Sequence, residues 1–236
     1  MSLTWKQSFK NFETYLRLEK SLSDNSIEAY QNDVFKLERF FTEIGVDISP
    51  VNVTYFDLKA FLAWYGGNNK NTRTQSRVLS GVRAFFRFLL IEGEIEENPA
   101  SLIESPKIGL KLPEVLSVIE IDRIIDVIDL SKPEGHRNKA IIETLYGCGL
   151  RVSELVNLRL TDIHYTEEFV IVTGKGNKQR LVPVSKKALK EIDIYKQDRN
   201  SLPVIHDQNI LFLNRRGKHL TRAMIFTIIK DLAAKA

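Results

Sequence analysis

The sequence of 236 residues has a single cysteine, Cys148. No disulfide can form within the chain, so a disulfide-stapled scaffold is excluded. No apolar run approaches the ~18 residues needed to cross a bilayer. The opening MSLTWKQSFKNF lacks the apolar core of an export signal. One unpaired thiol and no leader point to the cytoplasm. Strong charge imbalance is missing too: 34 Lys+Arg face 30 Asp+Glu, a net +4, and 43% hydrophobic residues are too many for a disordered chain. Repeats and low-complexity tracts are absent. His136, His164 and His206 share no ligand spacing with one another or with Cys148, so no metal and no cofactor is expected. What remains is an ordinary globular composition, long enough for one large domain or two small ones with a core.

Charge is unevenly placed. Residues 1–105 carry 12 Lys+Arg against 14 Asp+Glu, while residues 106–236 carry 22 against 16. The excess in the second half hints at a polyanionic partner.

The first hundred residues show helical periodicity. Ser23 stands before a stripe of Ile27, Tyr30, Val34, Leu37, Phe40, Phe41 and Ile44, which Gly45 ends. Further helices fit Tyr55 to Tyr65 and Thr72 to Ile91, and such a succession of helices in about 95 residues makes an all-α bundle. A proline-bearing stretch, ENPASLIESPKIGLKLPEVL, follows without a stripe. The division is therefore an N-terminal domain over 1–97, a linker over 98–113 and a second domain over 114–236. In that second domain Ser117 and Glu120 form a capping box for a helix through Ile128. A helix over Lys139 to Tyr146 precedes Gly147 and Gly149, and a short one runs from Val152 to Leu158. The period then changes to two. Phe169–Val172 and Leu181–Val184 flank T-G-K-G-N-K-Q-R, a hairpin with a glycine-rich tip. A helix from Ser185 to about Tyr195, a strand over Ile210–Leu213 and a final helix capped by Thr221 complete an α+β domain.

No acid occurs between Asp57 and Glu92, but Lys59, Lys70, Arg73, Arg77, Arg83 and Arg87 do. At about 100° per residue, the four arginines share an arc of roughly 120°, opposite Val78, Leu79, Val82, Phe85, Phe86 and Leu89. Like charges on one face repel unless an anion neutralises them, and guanidinium forks suit phosphates and guanine edges. The plain alternative is a solvated face whose acids come from neighbouring helices.

Two further groups stand out. In Y-G-C-G-L-R-V-S-E-L, Arg151 follows a glycine-broken helix end and Glu154 lies three residues on, within pairing reach. An arginine held by a carboxylate is a pre-aimed phosphate donor; a structural Arg–Glu pair is the alternative. Lys175 lies between Gly174 and Gly176 at the hairpin tip, where the missing side chains permit close approach of a bulky partner. Lys178 and Arg180 add charge there; a solvated basic turn is the alternative. The tip is no Walker A loop, since its glycine spacing and following residue are wrong.

Taken together, these segments resemble the tyrosine recombinases of the Xer type. G-C-G-L-R-V-S-E-L is similar to that family's first arginine motif, and V-T-G-K-G-N-K-Q-R-L-V-P-V to its lysine hairpin. N-P-A through L-P-E-V-L is similar to its interdomain linker, and F-x-x-Y-L-x-x-E-K-x-L-S-x-N-S-I-x-A-Y to its N-terminal DNA-clamping domain. The resemblance implies an N-terminal SAM-like helical bundle and a mainly α catalytic domain with a small β-hairpin sheet, closing as a clamp on duplex DNA. It implies cutting and rejoining of DNA through a 3′-phosphotyrosyl intermediate, in the resolution and segregation of chromosome dimers. Arg151 would offset charge on the phosphorus, Lys175 would protonate the leaving 5′-oxygen, and Glu154 would orient the site. Arg73, Arg77, Arg83, Arg87, Lys178, Arg180, Thr221 and Arg222 are the expected DNA contacts.

The family also uses a His-x-x-Arg segment and a nucleophilic tyrosine. His219-Leu-Thr-Arg222 fits the first literally, but its continuation does not, so Thr221 is expected to cap a helix and Arg222 to touch DNA backbone. Tyr195, the last tyrosine, lies in a helix with the wrong context, and Tyr146 and Tyr165 read as packing residues. The chain is therefore expected to stop before the second half of the active site and to bind DNA without cleaving it. Family members assemble as tetramers on paired sites, often with a second recombinase. Two alternatives keep the fold: a non-catalytic DNA-binding protein, and a phage or transposon integrase. No signature of an RNA-binding module is present.

Overall fold

A computed structural model describes residues 3–67, 71–107, 109 and 112–236, with Lys175 in its backbone only. Lys70, counted above among the basic residues, lies outside the described residues. The chain divides into two compact units, Met1–Leu112 and Pro113–Ala236.

The first unit is helical: α1 (Trp5–Leu18), α2 (Asp24–Glu43), α3 (Tyr55–Gly67) and α4 (Thr72–Ile91). Its core is aromatic. Phe12, Phe61, Phe85 and Phe86 are fully buried, and Phe12 meets Phe85 edge-on at 5.4 Å. The apolar stripe of α4 faces inward as its periodicity predicts, with Val78, Leu79, Val82, Phe85, Phe86 and Leu89 all buried. α2 and α4 approach closely at one point. Gly81 lies against the buried Asp33, and a Cβ at position 81 would fall 2.6 Å from that side chain.

The linker reading needs correction at its start. Ala100 and Ile103 are buried in the core of the first unit. Arg83 bonds the Ile103 carbonyl, and its other terminal nitrogen donates to Ser105 Oγ at 2.9 Å. Two apolar side chains and an arginine thus hold a segment whose proline content suggested a free connection. Ile108, Leu110 and Lys111, within the same predicted linker, lie outside the described residues.

The second unit contains α5 (Val118–Asp126), α6 (Gly135–Cys148), α7 (Val152–Val156), α8 (Lys186–Asn200) and α9 (Arg222–Ala233). Its sheet has the order β1-β2-β3, with β1 (Ile163–His164), β2 (Phe169–Thr173) and β3 (Gln179–Pro183) antiparallel. Register pairs Val172 with Arg180 and Thr173 with Gln179. Val170 and Val172 point into a core shared with Ile141, Leu155, Ile192, Leu211, Phe212 and Ile225. Ser117 and Glu120 form the predicted capping box on α5. α6 and α8 pack against each other and exchange two ion pairs, Lys139–Glu191 at 3.0 Å and Lys187–Glu143 at 2.7 Å.

The expected strand over Ile210–Leu213 is not one. Leu211, Phe212 and Leu213 are buried, but only single bridges form, Arg159 with Ile210 and Leu213 with His219. Other groups satisfy this backbone. Leu211 N–H donates to the Leu158 carbonyl at 2.8 Å, and Leu213 N–H donates to the Tyr195 hydroxyl at 2.9 Å. The buried Arg199 donates to the Ile210 carbonyl at 2.9 Å. An apolar run served by side chains looks like a strand in sequence. The short β1 carried too few residues to announce itself.

Gly81→Ala should destabilise the first unit by about 1–3 kcal/mol, because the added methyl group meets Asp33 and a packed helix pair has no room to yield. A lowered urea midpoint at unchanged slope is the expected result.

Candidate active site

α6 ends where Gly149 adopts the left-handed conformation, with φ +57°. The chain turns, Leu150 is buried, and Arg151 becomes the N-cap of α7. Glu154, at the third position of α7, reaches back to this turn. Its Oε2 accepts the Arg151 backbone N–H at 2.8 Å, and its Oε1 accepts from Arg151 Nη1 at 3.0 Å. Arg180 approaches the same carboxylate from β3, with Nη1 donating to Oε1 at 2.8 Å and Nη2 to Oε2 at 2.9 Å. The Glu154 side chain is 3% exposed, whereas that of Arg151 is 73% exposed.

These contacts explain the electrostatics. Hydrogen bonds from Arg180, and then from the backbone and side chain of Arg151, hold the Glu154 carboxyl down at about 2, against the opposing effect of burial. The carboxylate in turn raises the pKa of Arg180. A buried anion with two cationic partners and a backbone donor is fully satisfied.

The hairpin tip closes with Gly174 N–H donating to the Lys178 carbonyl at 2.8 Å. Gly176 and Asn177 adopt positive φ, +71° and +58°, which suits a glycine and an asparagine. Gly174 lies beside the ion cluster: a Cβ there would stand 3.3 Å from Arg180 Nη1 and 3.7 Å from Glu154 Oε1. The backbone of Lys175 lies in this tip, and its side chain is outside the described residues. Lys178 is exposed there.

The structure brings Arg151, Glu154 and Arg180 together. It treats the four arginines of α4 differently. Arg73 and Arg87 are exposed, and neither guanidinium has a hydrogen-bond or ion-pair partner among the described residues, the Arg73 backbone alone donating to the capping Asn71 side chain. Arg77 pairs with the buried Asp33 of α2 at 2.9 Å, which Lys36 also contacts at 2.9 Å. Arg83 is spent on residues 103 and 105, as described. Arg87 instead borders a cleft of about 430 Å³ with Lys20, Ser80, Arg83, Tyr15 and Tyr30, and no carboxylate lines it. For Arg77, the acid supplied by a neighbouring helix is the reading that holds. Asp33 went unnoticed in sequence, although an acid one residue from Val34 in the apolar stripe was the signal.

Thr221 caps α9, its hydroxyl accepting the Met224 N–H at 3.2 Å, and Arg222 is exposed. His219 is engaged elsewhere: its backbone N–H and its Nδ1 both contact Asp207, at 2.6 and 2.9 Å. Tyr195 is buried and stacked on Phe212. Tyr146, expected to pack, is 50% exposed, and Tyr165 lies under the Lys196 ammonium at 4.9 Å. Both sit at helix or loop surfaces, where an aromatic ring covers its neighbours only on one side. Among the described residues, no three His, Cys, Asp or Glu side chains group as a metal site, and no helix is long and apolar enough to cross a membrane.

Residues 114–236 match the Phage integrase family, and residues 9–93 match the Phage integrase N-terminal SAM-like domain. The chain is 36% identical over 228 residues to tyrosine recombinase XerC of Oceanobacillus iheyensis, covering 95% of this chain and 74% of that protein. It is 35% identical to tyrosine recombinase XerD of the same organism, covering 97% of this chain and 77% of that protein. In fold it is similar to a lambda integrase (75–356) dimer bound to a COC′ core site, with a TM-score of 0.74 and 17% identity over 98% of this chain and 81% of that one. It is also similar to the XerH recombinase bound to a palindromic difH substrate, with a TM-score of 0.73 and 21% identity, covering 97% of this chain and 68% of that one. The chain belongs to the phage integrase family as a tyrosine recombinase of the Xer type. The enzyme class of this family is DNA strand transfer, in site-specific recombination.

Glu154→Gln keeps the shape but removes the charge that both arginines need. It should cost about 1–3 kcal/mol near neutral pH. The native carboxyl titrates below its unfolded value, so this contribution is complete above about pH 4.5 and disappears as pH falls through about 2. Urea unfolding of both proteins across that range should show their stabilities converging at the acid end.

Proposed function

We propose that the chain grips duplex DNA and that Arg151 offers its guanidinium to the phosphate at which a strand is exchanged. The observation that carries this reading is an arginine left largely exposed while a buried carboxylate fixes its backbone N–H and one guanidinium nitrogen. Donors set before charge develops on the phosphorus favour the transition state without reorganisation. In the family's reaction a tyrosine oxygen bonds the phosphorus as the 5′-oxygen leaves, and a 5′-hydroxyl later reverses the exchange. The phosphotyrosyl ester conserves the bond energy, so no nucleotide cofactor is consumed. The protonation of the leaving 5′-oxygen falls to Lys175 by its place in the family's hairpin motif.

DNA backbone contacts fall to Arg73 and Arg87 on α4, and to Lys178, Thr221 and Arg222 in the second unit. All five are exposed. Arg77 and Arg83 serve the first unit's own structure. Tetramer assembly on paired sites, resolution of chromosome dimers and a cytoplasmic location complete the reading, supported by the Xer character of the relatives.

Phosphate contacts release counterions, so Arg73→Ala and Arg87→Ala should each flatten the salt dependence of duplex binding by about 0.9 in the log–log slope. Fluorescence anisotropy over a salt series measures it; unchanged slopes would return this face to solvent. On a nicked suicide duplex, the 236 residues should give no covalent adduct in a denaturing gel. Tyr195 is buried with its hydroxyl engaged, and Tyr146 and Tyr165 lack the family's sequence context. An adduct would place the nucleophile among the seven tyrosines of this chain.

A further inference from the structure

Arg180 presents two terminal nitrogens to one buried carboxylate. It stands on β3 opposite Val172, and its fork meets both oxygens of Glu154 at 2.8 and 2.9 Å. Those oxygens are the ones that hold Arg151. Oε1 accepts from the Nη1 atoms of both arginines, and Oε2 accepts from the Arg151 backbone and from Arg180 Nη2. Arg151 alone gives each oxygen one donor, its backbone N–H to Oε2 and one guanidinium nitrogen to Oε1. The Arg180 fork gives each oxygen a second donor from another strand of the chain, which stiffens the carboxylate's otherwise soft last torsion.

The neighbourhood is cut to fit this fork. Position 174 is glycine where any side chain would crowd Arg180 Nη1 at 3.3 Å. Because Arg180 belongs to β3 and Gly174 follows β2, the fork also ties the hairpin that bears Lys175 to the helix that bears Glu154. One anion thereby sets the position of two separate pieces of chain.

We infer that Arg180 is a positioning residue for strand transfer, fixing the Glu154 carboxylate so that Arg151 is held toward the phosphate, instead of a DNA contact in its own right. This rests on the phosphate role of Arg151 proposed above. Lysine would keep the charge but not the two-pronged fit.

A double-mutant cycle on a fluorescein-labelled DNA duplex tests it, using Arg151→Gln, Arg180→Gln and the pair. Arg151→Gln should weaken binding about tenfold or more, and Arg180→Gln should weaken it too. The double variant should be no more than about twofold weaker than Arg151→Gln alone, since one works through the other. Additive losses would overturn the inference and make Arg180 an independent DNA contact. Carboxyl NMR of Glu154 gives a second readout: its titration should rise from about 2 toward the ordinary value near 4.5 in Arg180→Gln. If the glutamine variant does not fold, Arg180→Lys takes its place. Lysine should keep the Glu154 titration depressed yet fail to restore DNA affinity; full rescue of affinity would overturn the fork argument. If Arg151→Gln leaves duplex affinity unchanged while the Glu154 titration still rises in Arg180→Gln, the phosphate role of Arg151 fails. Arg180 is then a structural partner only.

Discussion

A carboxylate buried between two guanidinium groups is the constraint on which the candidate site depends. Glu154 is removed from water, so its charge is tolerable only while donors surround it. Three of those donors are supplied by elements distant in sequence or turned back upon themselves: the Arg151 backbone, the Arg151 side chain and the Arg180 fork. Satisfying the anion therefore fixes the geometry around it. Arg151 is rigid at its root and open at its tip, which is the combination a pre-set phosphate donor needs.

The rest of the second unit delivers these partners to one another. α6 carries the chain to the glycine turn before Arg151, and β3 carries Arg180 before running into α8. The two helices that flank the site are thus the two that pack together, with the hairpin and α7 between their ends. In the first unit a different carboxylate, Asp33, plays a comparable structural part. It captures Arg77 and Lys36, and the approach of Gly81 gives it room. In both units a buried acid decides which arginines remain available to a partner.

Much of this was legible in the sequence. The stripe of α4, the capping box at Ser117, the glycine-tipped hairpin and the Arg151–Glu154 spacing all follow from local rules of periodicity and capping, and such rules hold when neighbours agree with them. What was not legible was long-range pairing. Arg180 and Glu154 are separated by 26 positions, and Arg77 and Asp33 by 44. Nothing local marks which of several arginines will find a buried acid. The Ile210–Leu213 segment failed for a related reason: its unbroken apolar run suggests a buried strand, but the groups that satisfy its backbone are a tyrosine hydroxyl, an arginine and a distant carbonyl. The linker failed because prolines signal an irregular path without revealing whether that path lies against a core.

The crossed ion pairs between α6 and α8 have a consequence for the precision of the site. Each helix offers a lysine and a glutamate one turn apart, Lys139 with Glu143 and Lys187 with Glu191, and the antiparallel arrangement matches every cation to an anion. Sliding either helix by one turn would set Glu143 against Glu191, or Lys139 against Lys187. The pattern is therefore a vernier with a single permitted setting. Because one helix feeds the turn before Arg151 and the other is fed by the strand of Arg180, that setting also gauges how far apart the two guanidinium groups are anchored.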